Sequence, residues 1–124
     1  MSLPRATAWR WLLALLLVFG LAMALRALAP GAGPENWFAG ADKLLHLSYF
    51  ALLWCVAVRA QVSRVGWRVL GLLGFGIGIE LAQGWLTATR SASLADVLAD
   101  SAGLLLGAVL TRVASNRQPE KDRR

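Results

Sequence analysis

The sequence predicts an all-α membrane protein, a bundle of four transmembrane helices with both termini in the cytoplasm. Three observations predict it. Hydrophobic residues fill 57% of the 124 positions and mean hydropathy is +0.55, too apolar for an ordinary soluble core. The apolar residues gather in four runs, and the basic residues gather at alternate ends of those runs.

The runs cover residues 11–28, 44–58, 67–86 and 94–113. At about 1.5 Å per residue, stretches of roughly 15–20 residues reach across a hydrocarbon core of about 30 Å, the shortest with help from polar flanks or local thinning. Residues 1–113 form the transmembrane domain. Residues 114–124, with Pro119 and alternating charge, read as a basic cytoplasmic tail that is disordered or lies on the membrane surface.

Ten basic residues mark one side: Arg5, Arg10, Arg59, Arg64, Arg68, Arg112, Arg117, Lys121, Arg123 and Arg124. Only Lys43, Arg90 and Arg26 mark the other, so the positive-inside rule puts both termini in the cytoplasm. The net charge of +6 therefore reads as a topology signal and not as a nucleic-acid surface. Arg5, Arg10, the first apolar run and Ala27-Leu28-Ala29 also imitate a signal peptide, but Arg26 before the cleavage-like site and the length of the run favour a retained helix. Pro30 to Asn36 is turn-rich and predicts a short outer loop.

A single cysteine, Cys55, excludes an internal disulfide, and no Cys/His spacing suits a metal. Gly71, Gly74, Gly76 and Gly78 follow no strand, so they read as packing positions and not as a dinucleotide loop.

The chemistry lies in acids placed inside apolar runs. A carboxylate at the centre of a spanning helix costs about 2.5–3.5 kcal/mol on insertion scales, so it faces protein or water and marks a site. Glu80, Asp96 and Asp100 are such acids. Helical spacing puts Asp42, Lys43 and His46 at the outer start of the second run, with Tyr49 or Phe50 one turn deeper. It puts Gly76, Glu80 and Gln83 on one stripe of the third, and Ser93, Asp96, Asp100, Gly103 and Gly107 on one stripe of the fourth. The glycines allow a neighbouring helix to come close, which turns this face inward and carries the acids with it. With Arg90 in the adjoining loop, these groups form one outward-facing polar pocket.

The same groups can simply satisfy one another, with Arg90 bridging Asp96 and Glu80 and with Ser91 or Ser93 capping the fourth helix. As chemistry, Glu80, His46 and Asp96 are the candidate catalytic groups. Asp42, Lys43, Gln83, Arg90, Ser93 and Asp100 are the candidate binding groups. No cofactor and no metal is expected: a cation held by Glu80, Asp96, Asp100 and His46 is opposed by Lys43 and Arg90.

Asp42-Lys43-x-x-His46, Glu80-x-x-Gln83 and Arg90-x-x-Ser93-x-x-Asp96-x-x-x-Asp100-x-x-Gly103-x-x-x-Gly107 together resemble the VanZ-like family of small bacterial membrane proteins. The resemblance covers roughly residues 40–110. The sequence departs from the family pattern at Asp100, where Asn is common, and at Ala88-Thr89, where Pro-Gly precedes the arginine. The resemblance implies action at the outer leaflet of a bacterial cytoplasmic membrane and, through the founding member, a link to low-level teicoplanin resistance.

Binding of an envelope lipid headgroup, a lipid-linked wall precursor or an amphiphilic antibiotic is the leading expectation. Arg90 and Lys43 would contact phosphate or carboxylate. The alternative is an intramembrane hydrolase or transferase with Glu80 or His46 as base. Proton-coupled transport ranks third, since no acids continue toward the cytoplasm. Partners are then membrane lipids and a second copy in a homo-oligomer, with no nucleic acid.

Overall fold

In the computed structural model, residues 4–26, 28, 38–62, 64–86 and 93–117 are described. They form four α-helices, α1 Arg5–Arg26, α2 Ala41–Arg59, α3 Val65–Leu86 and α4 Leu94–Asn116, and no strand among the described residues. Each is long and apolar enough to cross a membrane. The predicted four-helix membrane fold is therefore observed.

The helices outrun the apolar segments because hydropathy marks the hydrocarbon span, whereas helix limits are set by caps. α1 begins six residues before its apolar run, directly after Pro4, whose carbonyl accepts from the Thr7 and Ala8 amides at 2.9 and 3.3 Å. α2 begins after Gly40, whose φ of 82° suits a residue without a Cβ. It ends in a Schellman motif: Val62 N–H donates to the Ala57 carbonyl and Gln61 N–H to that of Val58, both at 3.1 Å. Gln61 takes the left-handed position with φ of 54°. α4 begins at the Ser93 cap and continues to Asn116, so residues 114–116 of the expected tail are helical. Residues 118–124 lie outside the described residues, as do the predicted outer loop at 30–36 and both Ser91 and Arg90.

The closest packing is between α2 and α4. A Cβ on Gly103 would strike the Leu47 carbonyl oxygen and come within 3.0 Å of Phe50 Cβ; one on Gly107 would lie 2.7 Å from Trp54 Cβ. Glycine at both positions lets the two backbones approach. Phe50, Leu53, Trp54 and Ala57 of α2 form the buried core with Leu72 of α3 and Leu104 of α4.

α1 is peripheral, with no buried residue. Polar contacts fix it: Arg10 Nε donates to the Ala60 carbonyl at 3.0 Å, Gln83 Nε2 to that of Ala24 at 3.1 Å, and the Tyr49 hydroxyl to that of Leu16. These place the start of α1 beside the end of α2, and the end of α1 beside the end of α3. His46 meeting Asp100, and Cys55 meeting Gly107, make α4 parallel to α2. The starts of α2 and α4 thus share one end of the bundle with the ends of α1 and α3.

The outside is apolar. Trp85 is 95% exposed, and Trp11, Trp67, Leu70 and Leu105 are also largely exposed, as suits helices solvated by lipid. Trp54 by contrast is buried under the Arg68 guanidinium, 5.0 Å from its ring centre.

Candidate functional site

Three helix faces meet at the shared end. On α3, burial repeats at Leu72, Gly76, Glu80 and Gln83; on α4, at Asp96, Asp100, Gly103, Leu104 and Gly107. These are the stripes the spacing predicts. Glu80 and Asp96 are 3% and 8% exposed and Asp100 is fully enclosed. Since the glycines bring α4 onto α2 deeper down, the acids one or two turns above them must face α2.

There they meet His46 and Lys43. His46 Nδ1 lies 2.6 Å from Asp100 Oδ1, a charge-assisted hydrogen-bond distance. Asp100 fits because α3 carries glycine opposite it: a Cβ at Gly76 would sit 2.5 Å from Asp100 Oδ2 and 2.9 Å from Phe50 Cζ. Phe50 closes the floor of the site.

Lys43 stands at the rim with its side chain 40% exposed and its Nζ 2.5 Å from both Asp42 Oδ2 and Asp96 Oδ1. The contact with Asp96 is one of charge and not an aligned hydrogen bond. The other oxygen of Asp96, Oδ2, faces His46 Nε2 at 3.9 Å, too far for a hydrogen bond.

Ser93 caps α4, its Oγ accepting from the Asp96 amide at 3.2 Å. Its own N–H donates to Glu80 Oε2 at 3.0 Å, tying α3 to the start of α4. Among the described residues, Glu80 Oε1 accepts no hydrogen bond. One donor atom each from His46, Glu80 and Asp96 lie within 4.8 Å of one another.

The candidate residues Asp42, Lys43, His46, Glu80, Ser93, Asp96 and Asp100 are therefore brought together. Gln83 is buried but turns to α1, where it holds the Ala24 carbonyl; it serves the bundle and not the cluster. Arg90, expected to bridge Asp96 and Glu80, lies outside the described residues. Among the described residues, Lys43 bridges Asp96 and the Ser93 amide engages Glu80. Sequence spacing does not reveal the link between Gln83 and α1, because its partner there is a backbone carbonyl, which no side chain announces.

The arrangement is a rim cation over buried carboxylates, with one imidazole between them. An apolar depression on α3, lined by Gly66, Val69, Leu70, Leu73, Gly74 and Ile77, runs from the start of the helix to one turn below Glu80. No protein-family model, no curated protein and no solved structure matches the chain.

Proposed function

We propose that this protein works in a bacterial cytoplasmic membrane and binds, at its outward-facing polar cluster, an amphiphile of the cell envelope. The class comprises lipid headgroups, lipid-linked wall precursors and amphiphilic antibiotics of the teicoplanin type. The observation that carries the reading is Lys43: a half-exposed ammonium held at the rim by two carboxylates, Asp42 and Asp96. A headgroup phosphate meets that ammonium, and an amine on the same headgroup meets the carboxylates beside it. The apolar exterior around the rim suits the acyl or prenyl chain. The resemblance to VanZ-like proteins supports the same place of action.

The test is native mass spectrometry of the detergent-released protein with phosphatidylethanolamine, phosphatidylglycerol and a polyprenyl diphosphate. The expected result is retention of one of these by the wild type and at least tenfold less by Lys43→Ala. Equal retention by both proteins would refute the reading.

A second reading, an intramembrane hydrolase or transferase, is favoured by one feature. The His46–Asp100 pair leaves Nε2 of the imidazole directed at the buried carboxylate of Asp96, an orientation suited to moving a proton. Release of phosphate from the polyprenyl diphosphate, abolished in Glu80→Gln and in His46→Ala, is its expected signature.

A further inference from the structure

We propose that His46, Glu80 and Asp96 form a binding site for one divalent first-row transition-metal ion, with Zn2+ as the reference ion and Asp100 as the outer partner that orients the imidazole. Donor atoms from the three residues lie within 4.8 Å of one another, although they come from three different helices. Small adjustments of side-chain torsion bring such a set to the distances of about 2.0–2.2 Å that zinc requires.

The hydrogen bonds already present divide the atoms in the way a metal site needs. A metal-binding histidine nearly always donates its other ring N–H to a carboxylate or carbonyl, which fixes the tautomer and strengthens the ligand. Here Nδ1 is committed to Asp100 Oδ1 at 2.6 Å, which leaves the Nε2 lone pair directed outward. Nε2 then faces Asp96 Oδ2 at 3.9 Å, too long for a hydrogen bond and of the order of the separation between two ligands on one ion.

An independent observation comes from Glu80. It is 3% exposed, yet among the described residues only Oε2 is used, by the Ser93 amide, and Oε1 accepts no hydrogen bond. A buried unpaired carboxylate oxygen is costly in an apolar setting. Coordination removes that cost.

Lys43 does not occupy the site. It holds Oδ1 of Asp96 and Oδ2 of Asp42 at the rim, and the oxygen of Asp96 that faces the imidazole is the other one. Four carboxylates, Asp42, Glu80, Asp96 and Asp100, surround one ammonium in this cluster. Among the described residues, acidic side chains therefore outnumber basic ones in the cluster. From the sequence no metal is expected, and Asp100 counts among the ligands of the disfavoured cation; here Asp100 stands behind the imidazole. One nitrogen and two carboxylate oxygens leave a coordination position for water or a phosphate oxygen, the composition of an open site and not of a closed structural one.

The site is defined without reference to any lipid, so its test is separate from that of headgroup binding. His46 is the only histidine in the chain, and its ring signals can be followed by NMR in tag-free, chelator-treated protein in detergent while Zn2+ alone is added. The expected result is a saturable shift of those ring signals at one Zn2+ per chain. Calorimetry should show affinity at least tenfold lower in Glu80→Gln and in Asp96→Asn. Asp100→Asn, which touches no ion, should weaken binding by about 10–100-fold while His46 still reports the bound state. Ring signals that stay unmoved at saturating Zn2+ overturn the proposal, and this measurement needs no variant to fold. Unchanged affinity in Glu80→Gln also overturns it.

Discussion

Asp100 and His46 show most directly how one residue depends on another across the bundle. Asp100 is fully enclosed, and one of its oxygens is held by the imidazole at 2.6 Å. Replacing His46 by Ala strands the enclosed Asp100 carboxylate without its partner, and breaking a buried pair from one side costs about 3–5 kcal/mol. Asp100→Asn keeps the shape and an acceptor for Nδ1–H while removing the charge, so its cost should be no more than about 1.5 kcal/mol. Unfolding of both variants in mixed detergent measures the difference, with His46→Ala expected well below Asp100→Asn. The sequence made the individual acids legible, because a carboxylate in an apolar run has to be inside. It did not make the pairing legible: His46 and Asp100 are 54 residues apart, and their contact depends on how far each helix turns about its axis.

On the scale of an element, close approach and capping decide what each helix tolerates. Gly103 and Gly107 lie against α2, whereas a Cβ on Gly71 or Gly74 meets nothing within 4 Å. Gly103→Ala and Gly107→Ala should therefore destabilise by about 1–3 kcal/mol through overpacking. Gly71→Ala and Gly74→Ala should be neutral, or gain up to about 1 kcal/mol from reduced backbone freedom in the unfolded chain. Thermal midpoints of the four variants separate the two classes. The turn between α2 and α3 gives a further case. Gln61 adopts φ of 54° at the Schellman position, where a side chain is disfavoured, so Gln61→Gly should stabilise by about 1 kcal/mol in the same assay. The stripe on α4 was readable from spacings of three and four. The Schellman turn was not, because a glutamine there gives none of the glycine signal that usually announces such an end. The start of α1 and the end of α4 lie beyond the apolar runs for a related reason: polar residues interrupt an apolar run without stopping a helix.

For the whole molecule, the distribution of polarity is inverted relative to a soluble bundle. Buried polar groups gather at one end of the interior, while large apolar side chains such as Leu70, Trp85 and Leu105 cover the outside. Such an object is stable only where lipid replaces water around it, and the polar cluster then lies at one membrane face. The arginines carry the prediction of which face. Arg59, Arg64 and Arg68 flank the turn between α2 and α3, and Arg112 and Arg117 lie at the end of α4, all at the end opposite the cluster. The positive-inside rule assigns that end to the cytoplasm. Single cysteines test this directly once Cys55, the one native thiol, is replaced by Ala. Ala39→Cys, just before α2, should react in intact cells with a maleimide that cannot cross membranes. Ser115→Cys, in the last turn of α4, should react only after permeabilisation. The reverse pattern would put the cluster on the cytoplasmic side and remove wall precursors of the outer leaflet from its reach. Labelling of both sites in intact cells would mean that the described helices do not cross as an alternating bundle. With Ala39 outside and Ser115 inside, Lys43 and the carboxylates it holds face the compartment where envelope amphiphiles present their headgroups. Binding at the cluster then requires only that a headgroup come down to the rim from its own leaflet.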